Sequence, residues 1–395
     1  MFPAFTLARL PRIIFGHGVR AQLPALVATY GRRALLVTGA RHFQSSPHWA
    51  EIQAGFKVAG IDWEMLAVAG EPSPDFVDDA VRLYRQADFG SVIGLGGGSA
   101  LDAAKAIAGL LQPGNSVFDH LEGVGPELPY QGPATPFIAV PTTAGTGSEA
   151  TKNAVLSRHG PEGFKKSFRD EKLVAEIALI DPDLLSTCPP PSIAANGMDA
   201  FTQLLESYVS SKANRLTDAL AWSGMKAARG SLLEWHENGA GAKDAQAGMA
   251  YAALLSGITL AQVGLGSVHG LASPLGAFFP IPHGVVCGTL VAEATAMNIK
   301  ALKARGENRE CLLKYAQVGR MLAHDAQLAE EEALTRLVDT LYAWTEQMGL
   351  QRLSAFGVAP ADIPRIVCNS RGSSMKTNPI ELSDEEIGQI LAKRI

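Results

Sequence analysis

Short apolar runs rich in β-branched residues alternate with longer segments whose apolar positions recur at helical spacing. The strand-like runs are RIIFG (12–16), RALLVTG (33–39), WEMLAVAG (63–70), GSVIGLGG (90–97), TPFIAVPTT (135–143) and EIALIDP (176–182). Amphipathic segments 75–88 and 100–112 fall between them. Such alternation predicts parallel strands joined by right-handed crossovers, hence a doubly wound, Rossmann-like sheet. The run CPPPS (188–192) closes this half: its prolines forbid a helix interior, and Ser192 reads as the N-cap of the next helix. Beyond it, segments 193–211, 215–237, 242–264, 285–302, 308–323, 330–348, 360–369 and 383–393 all show helical periodicity. The pattern therefore predicts an α/β dinucleotide-binding domain over 1–187 and an all-helical domain over 188–395.

Composition narrows the function classes. The chain has 395 residues, 47% of them apolar and 18% charged, against about 25% charged in an average domain. Large cores can form and disorder is excluded. A net charge of −5 leaves no basic surplus for a phosphate backbone, which argues against nucleic acid as a partner. Cys188, Cys287, Cys311 and Cys368 form no CxxC pair, so neither a disulfide framework nor a thiolate metal site is expected. The N-terminal segment carries Pro3, Arg9 and Arg12 and no cleavable apolar core. Residues 245–292 lack Asp, Glu, Lys and Arg, but Gly264, Gly266, His269, Pro274, Pro280, Pro282 and His283 interrupt them. That stretch reads as buried core rather than membrane span, and the expected address is the cytoplasm.

Three places carry candidate chemistry. In SVIGLGGGSALDAAKAIA (91–108) an apolar strand runs through Gly96, Gly97 and Gly98 into Ser99 and a helix. Glycines let backbone N–H groups approach a phosphate, and the helix N-terminus adds partial positive charge. The same glycines also suit a strand–helix turn packed tightly for its own sake. PTTAGTGSEAT (141–151) sets Thr142, Thr143, Thr146 and Ser148 at the carboxyl end of a strand, where open α/β sheets bind ligands, although an ordinary capped loop has the same look. In the helical half, Asp199 and Gln203 share one helix face, and His269 and His283 lie inside the uncharged stretch. A carboxylate, an amide oxygen and two imidazoles suit a divalent borderline metal; two core histidines bonded to carbonyls are the plain alternative.

GGGSALDAAKAIA, PTTAGTGSEAT, ALIDPDL, NGMDAFTQLLESYVS and HGLASPLGAFFPIPHGVVCG, in this order, resemble the iron-containing (group III) alcohol dehydrogenases along essentially the whole chain. The resemblance implies the two-domain, dehydroquinate synthase-like architecture. It further implies a metal-assisted NAD(P)-dependent oxidoreductase acting between an alcohol and its aldehyde or ketone, with a cofactor cleft between the domains. By family position, Gly96, Gly97, Gly98 and Ser99 contact pyrophosphate, and Asp102 lies on the nicotinamide side. Thr142, Thr143, Thr146 and Ser148 add cofactor contacts, and Lys165 reaches a ribose. One divalent metal, Fe²⁺ or Zn²⁺, is implied on Asp199, Gln203, His269 and His283. Gln203 stands where the family has a further ligand histidine, and Ser273 stands where it has another histidine. Asp199, His269, His283 and Ser273 are thus the implied catalytic set.

The family's NAD-selecting carboxylate falls at Gly39, with Arg41 two residues on; loss of the carboxylate and gain of a guanidinium predict use of NADP at least as readily as NAD. Three rivals remain on the same scaffold: a metal-independent reductase resembling maleylacetate reductase, a dehydroquinate synthase-type lyase, and a non-catalytic dinucleotide-binding paralogue. The uncharged 245–292 stretch speaks against the phosphate-rich site of the lyase. A homodimer or higher homo-oligomer is expected, through the apolar 11–16 segment at a sheet edge.

Overall fold

The computed structural model describes residues 4–40 and 43–395. Among the described residues eight strands form: β1 (Arg12–Phe15), β2 (Arg33–Gly39), β3 (Asp62–Val68), β4 (Ser91–Gly96), β5 (Phe137–Pro141), β6 (Asn153–Arg158), β7 (Phe164–Arg169) and β8 (Ile177–Ile180). Six of them make one parallel sheet in the order β1-β8-β5-β4-β2-β3. Helices α1 (Leu23–Ala28), α2 (Pro47–Ala59), α3 (Pro74–Tyr84) and α4 (Gly98–Leu110) cover it. The β2 side chains alternate between its two faces: Leu35 and Val37 enter the core under α3 and α4, while Ala34 and Leu36 enter the core under α1 and α2. Both sheet faces are thus buried, which is why the strands read as continuous apolar runs. The order reverses between β2 and β4, so the crevice at their carboxyl ends is a topological switch point.

β6 and β7 pair antiparallel in a hairpin outside the main sheet. The sequence pattern does not announce it, because NAVLSR and FKKSFR carry too many polar positions. This hairpin reaches across to the helical half.

That half consists of α5 (Pro190–Val209), α6 (Arg215–Asn238), α7 (Lys243–Val263), α8 (Ser267–Phe278), α9 (His283–Arg305), α10 (Arg309–Ala323), α11 (Glu330–Gln347), α12 (Ile363–Cys368) and α13 (Asp384–Ala392). Two expectations need correction. Ser192 is not an N-cap: α5 starts at Pro190 with Pro189 at the cap. Proline is tolerated in a first turn, where its missing N–H has no partner to lose. Residues 267–278, read as interrupted core, are helical in spite of Pro274; tertiary packing of Leu271, Ala272 and Leu275 outweighs the lost hydrogen bond. Helix α9 is apolar and long enough to cross a membrane, yet 83% of its most apolar window is buried within the domain.

Candidate active site

Helix spacing places the ligating groups. Asp199, Gln203 and Glu206 recur on one face of α5; His269 sits in the first turn of α8; His283 opens α9 with Cys287 one turn later. Their side chains converge. Asp199 Oδ1 lies 3.2 Å from His269 Nε2 and 3.8 Å from His283 Nε2. Cys287 Sγ lies 3.6 Å from His269 Nε2 and 3.8 Å from His283 Nε2. All four donor atoms fall within 4.8 Å of one another. Bonds of about 2.0–2.3 Å around one tetrahedral ion separate its donors by about 3.3–3.8 Å. The cluster therefore fits a single divalent metal.

The environment supports this fit. Gln203 Oε1 is buried with no hydrogen-bond partner, an orphan acceptor one turn from Asp199 that a cation would satisfy. His269 Nδ1–H donates to Glu206 Oε2 at 2.6 Å, and Glu206 Oε1 accepts the Val268 N–H at 2.7 Å. Glu206 thus turns the His269 Nε2 toward the cluster, as outer carboxylates do for metal-bound imidazoles.

Protonation follows the charges. Burial would raise Asp199, but His283 and His269 hold its carboxyl down at about 2. Burial lowers His283 to about 4, with the Lys165 ammonium adding to the effect. Its imidazole is therefore neutral near pH 7 and offers a lone pair. Burial works against the His269 imidazolium too, yet Cys287, Glu206 and Asp199 outweigh it and hold that pKa well above the usual value. Burial pushes the Cys287 thiol up to about 12.

The glycine turn lies on the other wall. β4 ends at Gly96, Gly97 caps α4, and Gly98 begins it. A Cβ on Gly97 would come within 3.2 Å of Thr143, and one on Gly98 within 2.8 Å of Thr146 Oγ1. The Thr142 N–H donates to the Gly96 carbonyl at 2.9 Å. The two polar loops are therefore one surface, at the switch point of the sheet. Gly39 adjoins it: a Cβ on Gly96 would lie 3.2 Å from the Gly39 nitrogen. Arg41 lies outside the described residues.

Two residues assigned to the cofactor have other partners. Ser148 Oγ donates to Asp102 Oδ1 at 2.5 Å, and Asp102 Oδ2 accepts the Val155 N–H at 3.2 Å. The fully buried Lys105 Nζ lies within hydrogen-bond distance of four acceptors, the Ser148 carbonyl, Ser148 Oγ, Thr151 Oγ1 and the Asn153 carbonyl, which share its N–H groups. Asp102 and Ser148 therefore brace the loop from within.

Lys165, on β7, stands at the seam. Its Nζ donates to Glu71 Oε1 at 2.5 Å, and Glu71 also accepts from Ser157 Oγ. Ser273 Oγ donates to the Lys165 carbonyl at 3.0 Å, so its hydroxyl is committed to the hairpin and stands outside the ligand cluster. His159 Nδ1–H likewise donates to the Gly276 carbonyl at 3.0 Å. The loop also spans the seam: a Cβ on Gly145 would lie 2.8 Å from Asn196 Cβ on α5, and one on Gly147 would lie 2.4 Å from the Ala253 carbonyl on α7. A surface cavity of about 390 Å³, bordered by Arg9, Lys105, Gln131, Lys172 and Glu176, opens at the far end of α4, away from the ligand cluster and the glycine turn.

Sequence reasoning set the cysteines aside as metal ligands, and the structure brings Cys287 into the cluster. The available signal was its i, i+4 relation to His283. Glu206 was also missed, though it continues the Asp199–Gln203 stripe by one turn.

Known proteins resemble this chain along both halves. Residues 11–182 match the family described as iron-containing alcohol dehydrogenase, and residues 193–395 match the Fe-containing alcohol dehydrogenase family, C-terminal. The lactaldehyde reductase of Escherichia coli (strain K12) is 32% identical over 360 residues, 89% of each chain. The NAD-dependent methanol dehydrogenase of Bacillus methanolicus is 28% identical, covering 96% of this chain and 97% of its own. A solved 1,3-propanediol oxidoreductase superposes over 100% of both chains with a TM-score of 0.89 at 26% identity.

Proposed function

This chain belongs to the iron-containing alcohol dehydrogenase family, and we propose that Asp199, Gln203, His269 and His283, facing the Gly96–Gly98 cradle, form its working site. It is an oxidoreductase that moves a hydride between an alcohol and its aldehyde or ketone, with a nicotinamide nucleotide as partner. The observation that carries the site assignment is the seam. The loop 141–151 packs on the glycine turn through Thr143 and Thr146 and on α5 through Gly145, one turn before Asp199.

Asp199, His269 and His283 hold a divalent ion, Fe²⁺ or Zn²⁺, and a bound ion supplies Lewis acidity toward the substrate oxygen. A bound nicotinamide supplies or takes the hydride. The chain does the rest. Gly96, Gly97 and Gly98 bring backbone N–H groups and the α4 N-terminus to the pyrophosphate, with the Ser99 hydroxyl beside them. Thr142, Thr143 and Thr146 border the nucleotide, and Lys165, paired with Glu71, reaches a ribose hydroxyl. His283, with 26% of its side chain exposed, is the open face of the cluster and admits the substrate oxygen. Because Ser273 is held by the Lys165 carbonyl, proton exchange runs through water or a ribose hydroxyl. The absence of a carboxylate at Gly39 favours NADP(H) at least as much as NAD(H).

The substrates are small alcohols and aldehydes, in keeping with lactaldehyde reductase and methanol dehydrogenase among the relatives. We place the domain division at 187/188, assign the enzyme to the cytoplasm, and read the exposed edge strand β1 as a homodimer contact. Asp199→Asn tests the site assignment: turnover of a short aldehyde should fall by at least about two orders of magnitude, on the scale of losing a positioned charge. Nucleotide affinity, measured by fluorescence quenching, should stay unchanged. Retained turnover would move the chemistry elsewhere.

A further inference from the structure

We infer that Cys287 is a ligand of the site metal, supplying a thiolate where the set lacks its third imidazole. The inference rests on the metal reading above and sharpens it. Among the four cysteines, two others pass their hydrogen to a carbonyl: Cys188 to Thr142 and Cys311 to Val209. Cys287 does not; its polar contacts are the two cluster nitrogens, His269 Nε2 and His283 Nε2. The sulfur shares the α9 face with His283 and completes the four-donor group with Asp199. It is fully buried, so no bulk water competes for it.

The chemistry of the alternatives favours sulfur. Gln203 brings a neutral, hard amide oxygen, whereas a thiolate is anionic and soft and binds borderline cations more strongly. As the ion enters, the S–H bond breaks, the sulfur pair forms the metal–sulfur bond, and the proton leaves to solvent. Asp199 and Cys287 together then cancel the charge of a divalent ion. The resulting centre favours Zn²⁺ or Co²⁺ over Fe²⁺ more than an aspartate–histidine set would.

Cobalt substitution of the full-length, metal-stripped enzyme tests this without measuring activity. The wild type and Gln203→Ala should bind Co²⁺ and show a thiolate-to-cobalt charge-transfer band in the near ultraviolet. Cys287→Ser should lose that band and bind Co²⁺ at least about tenfold more weakly, the lower end of what even outer-shell changes cost. Stoichiometric Co²⁺ with visible ligand-field bands but no thiolate band in the wild type would overturn the role of Cys287 and leave the metal site standing. Failure to bind Co²⁺ at all would overturn the metal site and this inference together. If Cys287→Ser does not fold, the wild-type spectrum alone decides.

Discussion

Glu206 Oε2 lies 2.6 Å from His269 Nδ1, and the other oxygen of the same carboxylate accepts the Val268 N–H. One side chain of α5 thereby fixes both the start of α8 and the ring orientation of its histidine. Glu206→Gln keeps an acceptor for Val268 but gives up the charge facing the imidazole. Metal affinity should fall about 10–100-fold, the range for such outer carboxylates. The thermal midpoint should change little. Chelator competition read beside thermal unfolding checks the pair, and unchanged affinity would make Glu206 a helix cap alone.

Nucleotide choice should respond at Gly39. A Cβ built there meets nothing within 4 Å, so an aspartate fits at the carboxyl end of β2. Its carboxylate would accept hydrogen bonds from a ribose and repel a 2′-phosphate. The wild type should use NADP(H) at least as well as NAD(H), and Gly39→Asp should shift kcat/KM toward NAD(H). A wild-type preference for NAD(H) above about tenfold, roughly 1.4 kcal/mol of discrimination, would contradict this.

Glu149 gives a pH signature. Burial raises its carboxyl from 4.5 to about 7, with Lys105 only partly opposing. The folded chain holds this proton where the unfolded chain has released it, so stability is lost as pH rises from 4.5 toward 7. Glu149→Gln removes that loss. The stability difference between variant and wild type should move by about 1–3 kcal/mol in the variant's favour over this window. Denaturant titrations at several pH values measure it; a constant difference would mean that Glu149 is ionised at no cost.

The nucleotide loop and α7 meet backbone to backbone. A Cβ on Gly257 would lie 2.1 Å from the Gly147 carbonyl oxygen, which neither segment can escape by a rotamer change. Gly257→Ala should cost about 1–3 kcal/mol through overpacking and weaken nucleotide binding along with it. Calorimetry and a nucleotide titration check both, and an unaffected variant would show that the seam is soft.

The β2, β4, β5 and β8 strands were legible because fully buried parallel strands are uninterrupted apolar runs. The glycine turn and the ligand-bearing α5 were legible because their spacing is local. Helix α8 was not, since Gly270, Ser273, Pro274 and Gly276 obscure helical periodicity that only neighbours such as Met375 and Lys165 sustain. The β6–β7 hairpin was missed because its polar residues, Arg158, Lys165 and Arg169 among them, pair with carboxylates of neighbouring segments instead of alternating with a core face. Cys287 was missed because Asp199 and His269 reach it from other helices, and only His283 is near it in sequence. The hydrogen bond of Ser148 to Asp102, and that of the buried Lys105 to Ser148, were not legible because they join segments more than 40 residues apart in the chain.

Hydride transfer by this chain should depend on one metal held by Asp199, His269 and His283. A titration of chelator-stripped enzyme with Zn²⁺ or Fe²⁺, following aldehyde-dependent oxidation of the reduced nicotinamide, reads that dependence directly. Activity should be lost on stripping, return in proportion to added metal, and break at a single equivalent per chain. Full turnover in the stripped enzyme, unchanged by added metal, would contradict metal dependence and favour a reductase that polarises its carbonyl with protein groups alone.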